Sequence, residues 1–137
     1  MRASLPFFVV FLLVASLLVT PAAGLAAPDH LLITEVVYDP AGTEPAAEWV
    51  ELYNPTSVPA RLNGWRLRDN SAEDALPDVE IGPGEYIVVV VDESAFRQAH
   101  PGFGGKLINL GGPIGNGLAN GGDRVFLLDS GGALVDA

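Results

Sequence analysis

The sequence predicts an all-β fold, a sandwich or a barrel, and three observations carry that reading. Short runs rich in β-branched and aromatic residues follow one another at close spacing. Each run is closed by proline, glycine, asparagine or aspartate. Beyond the first 20 or so residues, no stretch sustains the 3.6-residue apolar period of an amphipathic helix. A chain of 137 residues without cysteine must hold itself together by one apolar core, with no disulfide and no cysteine metal site.

The elements follow in order. Residues 31–38 form a strand stopped by Asp39, Pro40 and Gly42. Residues 48–54 alternate in period two and stop at Pro55. Residues 58–62 make a short strand, Asn63 and Gly64 a turn or bulge. Residues 65–69 alternate again, Trp65 and Leu67 on one face and Arg66 and Arg68 on the other. Residues 70–77 read as an acidic loop, and 79–81 as a short strand closed by Gly82, Pro83 and Gly84. Residues 86–92 lack alternation, so this strand is expected to be buried on both faces. Residues 93–100 suit one or two helical turns. Eleven of the 16 glycines lie after residue 101, and residues 111–122 hold six of them, which makes that segment a loop. Residues 123–136 read as a hairpin turning at Gly131 and Gly132.

The N-terminus has the layout of a secretory signal peptide: Arg2, an uncharged apolar run over residues 5–19, then Pro21 and the small residues Ala22, Ala23, Gly24 and Ala26. The run is shorter than the roughly 20 residues a membrane span needs. Cleavage after Gly24 or Ala26 is expected, giving a leader over residues 1–26 and a domain over 27–137. The protein is then secreted or held in the cell envelope, and the lack of cysteine leans towards a bacterial source. All 17 acidic residues lie from Asp29 onward, so losing Arg2 takes the formal charge from −10 to −11. Such a surface repels nucleic acid and anionic lipid, and the small cluster of Arg61, Arg66 and Arg68 does not offset it.

Ile33, Thr34 and Glu35 on the first strand are followed by Glu48, Trp49, Glu51, Leu52, Asn54 and Pro55, then by Leu62, Gly64, Trp65, Leu67 and Asp69. Pro83 and Gly84 lead into Tyr86, and Gly121 to Asp129 precede Gly131 and Gly132. In this order and spacing the segments resemble the lamin tail domain family, over most of residues 30–136. The resemblance implies an immunoglobulin-like β-sandwich that acts as a non-catalytic interaction module with a protein or cell-surface partner. Its alternative implication is an accessory domain of a secreted nuclease- or phosphatase-type hydrolase whose catalytic part lies outside this chain. Family members continue past the Gly131 and Gly132 hairpin, so the domain is expected to lack its final strand and to expose an edge.

Several constellations bear on chemistry. On strict alternation Glu35 shares a face with Ile33 and Val37, and Glu51 with Trp49 and Tyr53. Paired carboxylates there could serve metal or acid–base work. The preferred reading is structural: carboxylates accepting hydrogen bonds from backbone, Arg66 or Arg68. With the residues that carry the resemblance, Glu35, Glu48, Glu51, Asn54, Gly64, Trp65 and Asp69 are the structural or interaction candidates. Asp69, Asn70, Glu73, Asp74, Asp78 and Glu80 supply oxygens that suit calcium, with Asp69, Asp74 and Asp78 the candidate ligands. Their spacing does not match a calcium-binding loop, and a solvated acidic stretch is the preferred reading. No catalytic residue and no cofactor are expected. The glycine-rich loop lacks the following helix and lysine of a phosphate loop. His30 and His100 lack zinc spacing, and Ser71, Ser94 and Ser130 lack a nucleophile elbow. Trp65 is expected in the core, while Trp49 or Tyr53 could form a binding face.

Overall fold

The computed structural model describes residues 28–137; the expected leader lies outside the described residues. In chain order the elements are β1 (Leu32–Val37), β2 (Trp49–Tyr53), β3 (Ala60–Arg61), β4 (Arg66–Arg68), β5 (Glu73–Ala75), β6 (Glu80–Ile81), β7 (Tyr86–Val90), α1 (Glu93–Ala99), β8 (Lys106–Asn109), β9 (Phe126–Leu128) and β10 (Leu134–Asp136). They build two four-stranded sheets, β1-β2-β7-β8 and β10-β9-β4-β5, and a ribbon of β3 and β6. Every pairing is antiparallel except β7 with β8.

The core lies between the sheets. Alternation along β2 sends Val50 and Leu52 inward, and β7 and β8 add Ile87, Val89 and Ile108. Leu67 and Leu127 meet them from the second sheet, and Ile81 from the ribbon. Burial of each such side chain contributes about 1.5–3 kcal/mol. Strand β7 is buried on both faces, as its continuous apolar run predicts. Its outward residues Val88 and Val90 pack with Phe96 of α1, Trp49, Phe103 and Leu107 in a second cluster. Helix α1 is short but well delimited: Asp92 Oδ1 accepts from Ala95 N at 2.8 Å, and Arg97 pairs with Glu93 at 2.7 Å. It is the crossover that lets β7 and β8 run parallel.

Two expectations need correction. Residues 70–77 are not all loop, because β5 pairs with β4. Acidic residues have low strand propensity, but the Arg66–Glu73 ion pair at 3.4 Å joins the two strands across the ladder. Strict alternation in β1 also fails. A bulge between Ile33 and Glu35 shifts the register, so that Ile33 and Val36 pack on the core while Glu35 and Val37 face outward. Glu35 therefore does not share a face with Ile33. The expected hairpin is β9 and β10, and at its end Asp136 Oδ2 accepts from Ile33 N of β1 at 2.7 Å.

Candidate functional site

The glycine-rich segment 111–122 has few backbone partners of its own, and its amides must find acceptors. Carboxylates supply them. Asp74 Oδ2 accepts from Gly115 N at 2.6 Å and Asp69 Oδ2 from Asn116 N at 2.8 Å. Glu48 Oε2 accepts from Leu118 N at 3.2 Å, and Asp123 Oδ2 from Ala119 N at 3.3 Å. Glu44 holds the Asn120 side chain at 3.0 and 3.1 Å, and Asn70 donates to Asp123. Asp69 also accepts from Ser71 N at 2.6 Å and Ala72 N at 2.7 Å, so one buried carboxylate joins the β4–β5 turn to the loop. Gly115 sits at φ +60°, and a Cβ there would fall inside the Asp69 carboxyl group. The close approach thus requires glycine.

The electrostatics divide this cluster. Burial raises the Asp69 carboxyl, but the amides of Ala72, Asn116 and Ser71 outweigh it and leave the group below its ordinary value. Glu48 is raised: burial acts first, the Leu118 amide opposes it, and the charges of Glu44 and Asp123 reinforce it.

The other structural candidates are also occupied. Asn54 is fully buried and uses both ends of its amide. Nδ2 donates to Val58 O at 2.8 Å and Ile81 O at 2.9 Å, while Oδ1 accepts from Thr56 N and Oγ1. This ties the end of β2 to the ribbon. Gly64 has φ +76°, with Ser130 3.1 Å from where a Cβ would stand. Trp65 packs against the core, as expected. Asp78 pairs with Arg61 at 3.1 Å on the ribbon, away from the partners of Asp69 and Asp74. The three calcium candidates are thus engaged with different partners. Among the described residues, no group of three or more His, Cys, Asp or Glu is placed to hold a metal ion. The histidines are separate: His30 contacts Asp29, and His100 packs near Trp49 and Phe96.

The outer face of the first sheet is different. Glu35 and Glu51 are register partners there, and Thr34 Oγ1 donates to Glu51 Oε1 at 2.7 Å. Arg66 and Arg68 do not serve these carboxylates: Arg66 pairs with Glu73 and Arg68 lies 4.7 Å over the Phe126 ring. Beside them Tyr53 and Tyr86 stack with ring centroids 4.3 Å apart, and Tyr86 is 51% exposed. Further along, a cleft of about 370 Å³ opens between β1, residues 40–47 and the end of α1. Trp49, Glu35 and His100 line it. A second, apolar cleft of about 260 Å³ lies where Ile33, Val36 and Val125 approach the sandwich edge. Sequence reasoning missed Glu44, Asp123 and the place of His100 in the first cleft. An acid-rich chain with a glycine loop short of partners was the available signal for the first two.

Two sheets packed on one core, with buried polar groups turned to backbone, define an immunoglobulin-like β-sandwich domain. The family model for the Lamin Tail Domain matches residues 25–137, and the chain belongs to that family. The family is one of non-catalytic immunoglobulin-like domains. Comparison with curated proteins gave no match. No helix among the described residues is long and apolar enough to cross a membrane.

Proposed function

We propose that this chain is an exported interaction module of lamin-tail type, with no reaction of its own, that engages a protein or cell-surface partner through the outer face of its first sheet. The observation that supports this is how the polar groups are used. Glu48, Asp69, Asp74 and Asp123 are spent on backbone amides. Acid–base work needs groups convergent on a substrate position, and these converge on the chain itself. Glu35, Glu51, Tyr53 and Tyr86 instead stand together on a face that α1 leaves uncovered, and aromatic residues with a polar surround are what interfaces use. Export rests on the leader pattern, and the charge of −10 weighs against nucleic acid as the partner.

Two measurements test this. Alkaline phosphatase fused after Ala137 becomes active if the leader exports the chain, and inactivity would remove export. A photo-crosslinking residue at Tyr86 gives a discrete adduct in intact cells that the same residue at Arg61 on the ribbon does not. Equal labelling from both positions would remove the outer face as the interaction surface.

A further inference from the structure

From the shape and charge of the cleft beside α1, we infer that it receives a basic polypeptide segment, with a lysine stem lying across Trp49 and its ammonium at Glu35. This rests on the interaction-module reading and names the partner's chemistry. The cleft continues along the helix into a further hollow of about 250 Å³ between Ala41, Ala47, Ala95 and Gln98. Ala41, Gly42, Ala47 and Ala99 line both parts, so the two form one elongated groove. Side chains this small leave room for a main chain to lie close. An elongated, shallow groove suits an extended segment better than a compact small molecule.

Charge selects the segment. Glu35 is the acidic residue lining the cleft, and it has no ion-pair partner among the described residues. Glu51 lies beside it in register, on a chain of net charge −10. The nearby cation Arg97 is committed to Glu93 at 2.7 Å and does not neutralise the groove. Apart from Glu35 and the His100 ring the cleft is lined by apolar and small residues, which matches a lysine: a hydrocarbon stem that buries on apolar surface and a charged head that stays wet. Trp49 is braced edge-on by Phe96 and His100, at interplanar angles of 88° and 89°, so the indole is fixed before any partner arrives. The indole so held offers a preformed apolar surface for the lysine stem. Anionic partners are repelled by the same surface.

The test is a nitrogen–proton correlation titration of the full chain with a dodecapeptide of alternating lysine and alanine. The chain has two tryptophans, so the Trp65 indole is an internal control. The inference expects saturable movement of the Trp49 indole and the α1 amides, an unmoved Trp65 indole, and no saturation with alternating glutamate–alanine or serine–alanine peptides. Glu35→Gln weakens binding about threefold or more, on the scale of an exposed ion pair. Glu80→Gln, on the ribbon, leaves it unchanged. Equal weakening by Glu80→Gln would reduce the effect to net charge and overturn the inference, as would equal binding of the serine peptide. If the Tyr86 crosslink forms in cells while the lysine peptide leaves Trp49 unmoved, the basic partner fails and the interaction module stands. Failure of both removes both.

Discussion

Replacing Asp69 by alanine tests whether the acidic residues are part of the scaffold. The side chain is 1% exposed and accepts from three amides, at 2.6, 2.7 and 2.8 Å. A hydrogen bond to a charged group contributes about 1.5–3 kcal/mol. Ser71 and Asn116 lie near solvent, so water recovers part of that loss. The net cost is about 3 kcal/mol, which for a domain of this size lowers Tm by about 10–20 °C. Asp69→Asn falls between, because its amide group presents a donor to one of the N–H groups. Asp78→Ala, which breaks an exposed ion pair with Arg61, costs less than about 1 kcal/mol. Urea unfolding at pH 7 measures all three. A loss below about 1 kcal/mol for Asp69→Ala, no larger than an exposed ion pair, would refute the reasoning.

Other substitutions follow the same logic. Gly115→Ala must place a Cβ at φ +60° against the Asp69 carboxyl, and it lowers stability by about 3 kcal/mol or more in the same urea assay. Glu48→Gln acts in the opposite sense. A carboxyl whose folded pKa is raised above its ordinary 4.5 weakens the fold above that folded value, and the penalty fades as the pH falls through it. The amide oxygen of the substituted side chain still accepts from Leu118 N, so the variant melts higher than the parent at pH 7 and the difference narrows towards pH 4.5; a lower Tm at pH 7 would contradict this. Asp69 is depressed, so its stabilisation is present above its ordinary 3.8 and is lost as the pH falls through the folded value, which acid titration of the Asp69→Ala difference checks. Leu67→Ala, at a fully buried position between the sheets, costs about 2–5 kcal/mol by urea unfolding.

Elements that obey a local rule were legible in the sequence. Period two gave β2 and β4, and the unbroken apolar run of β7 gave burial on both faces, which Val88 and Val90 under Phe96 explain. Elements made by partners were not. Strand β5 is Glu73, Asp74 and Ala75, poor strand formers that pair because β4 offers arginine opposite. Strand β8 is four residues inside a glycine-rich stretch, and it is placed by the α1 crossover. The β1 bulge is a single extra residue with no turn signal, and it moved Glu35 to the outer face. The site divides in the same way. Asp69, Asn54 and Gly64 stood out in the sequence as structural or interaction candidates, Asp69 also as a calcium candidate, but the carboxylate–loop contacts span 41, 47 and 70 residues. No spacing rule connects groups that far apart. The groove beside α1 joins two non-adjacent segments and was invisible for the same reason.

The acidic cluster clamps the glycine loop and is part of the scaffold, not a ligand site. The most direct measurement is a calcium titration of the chain to millimolar concentration, followed by amide correlation spectra and by Tm. The account predicts that the amides of Ser71, Ala72, Gly115 and Asn116 stay in place and that Tm does not rise. Saturable movement of those amides with a rise in Tm, abolished by Asp69→Asn, would contradict it.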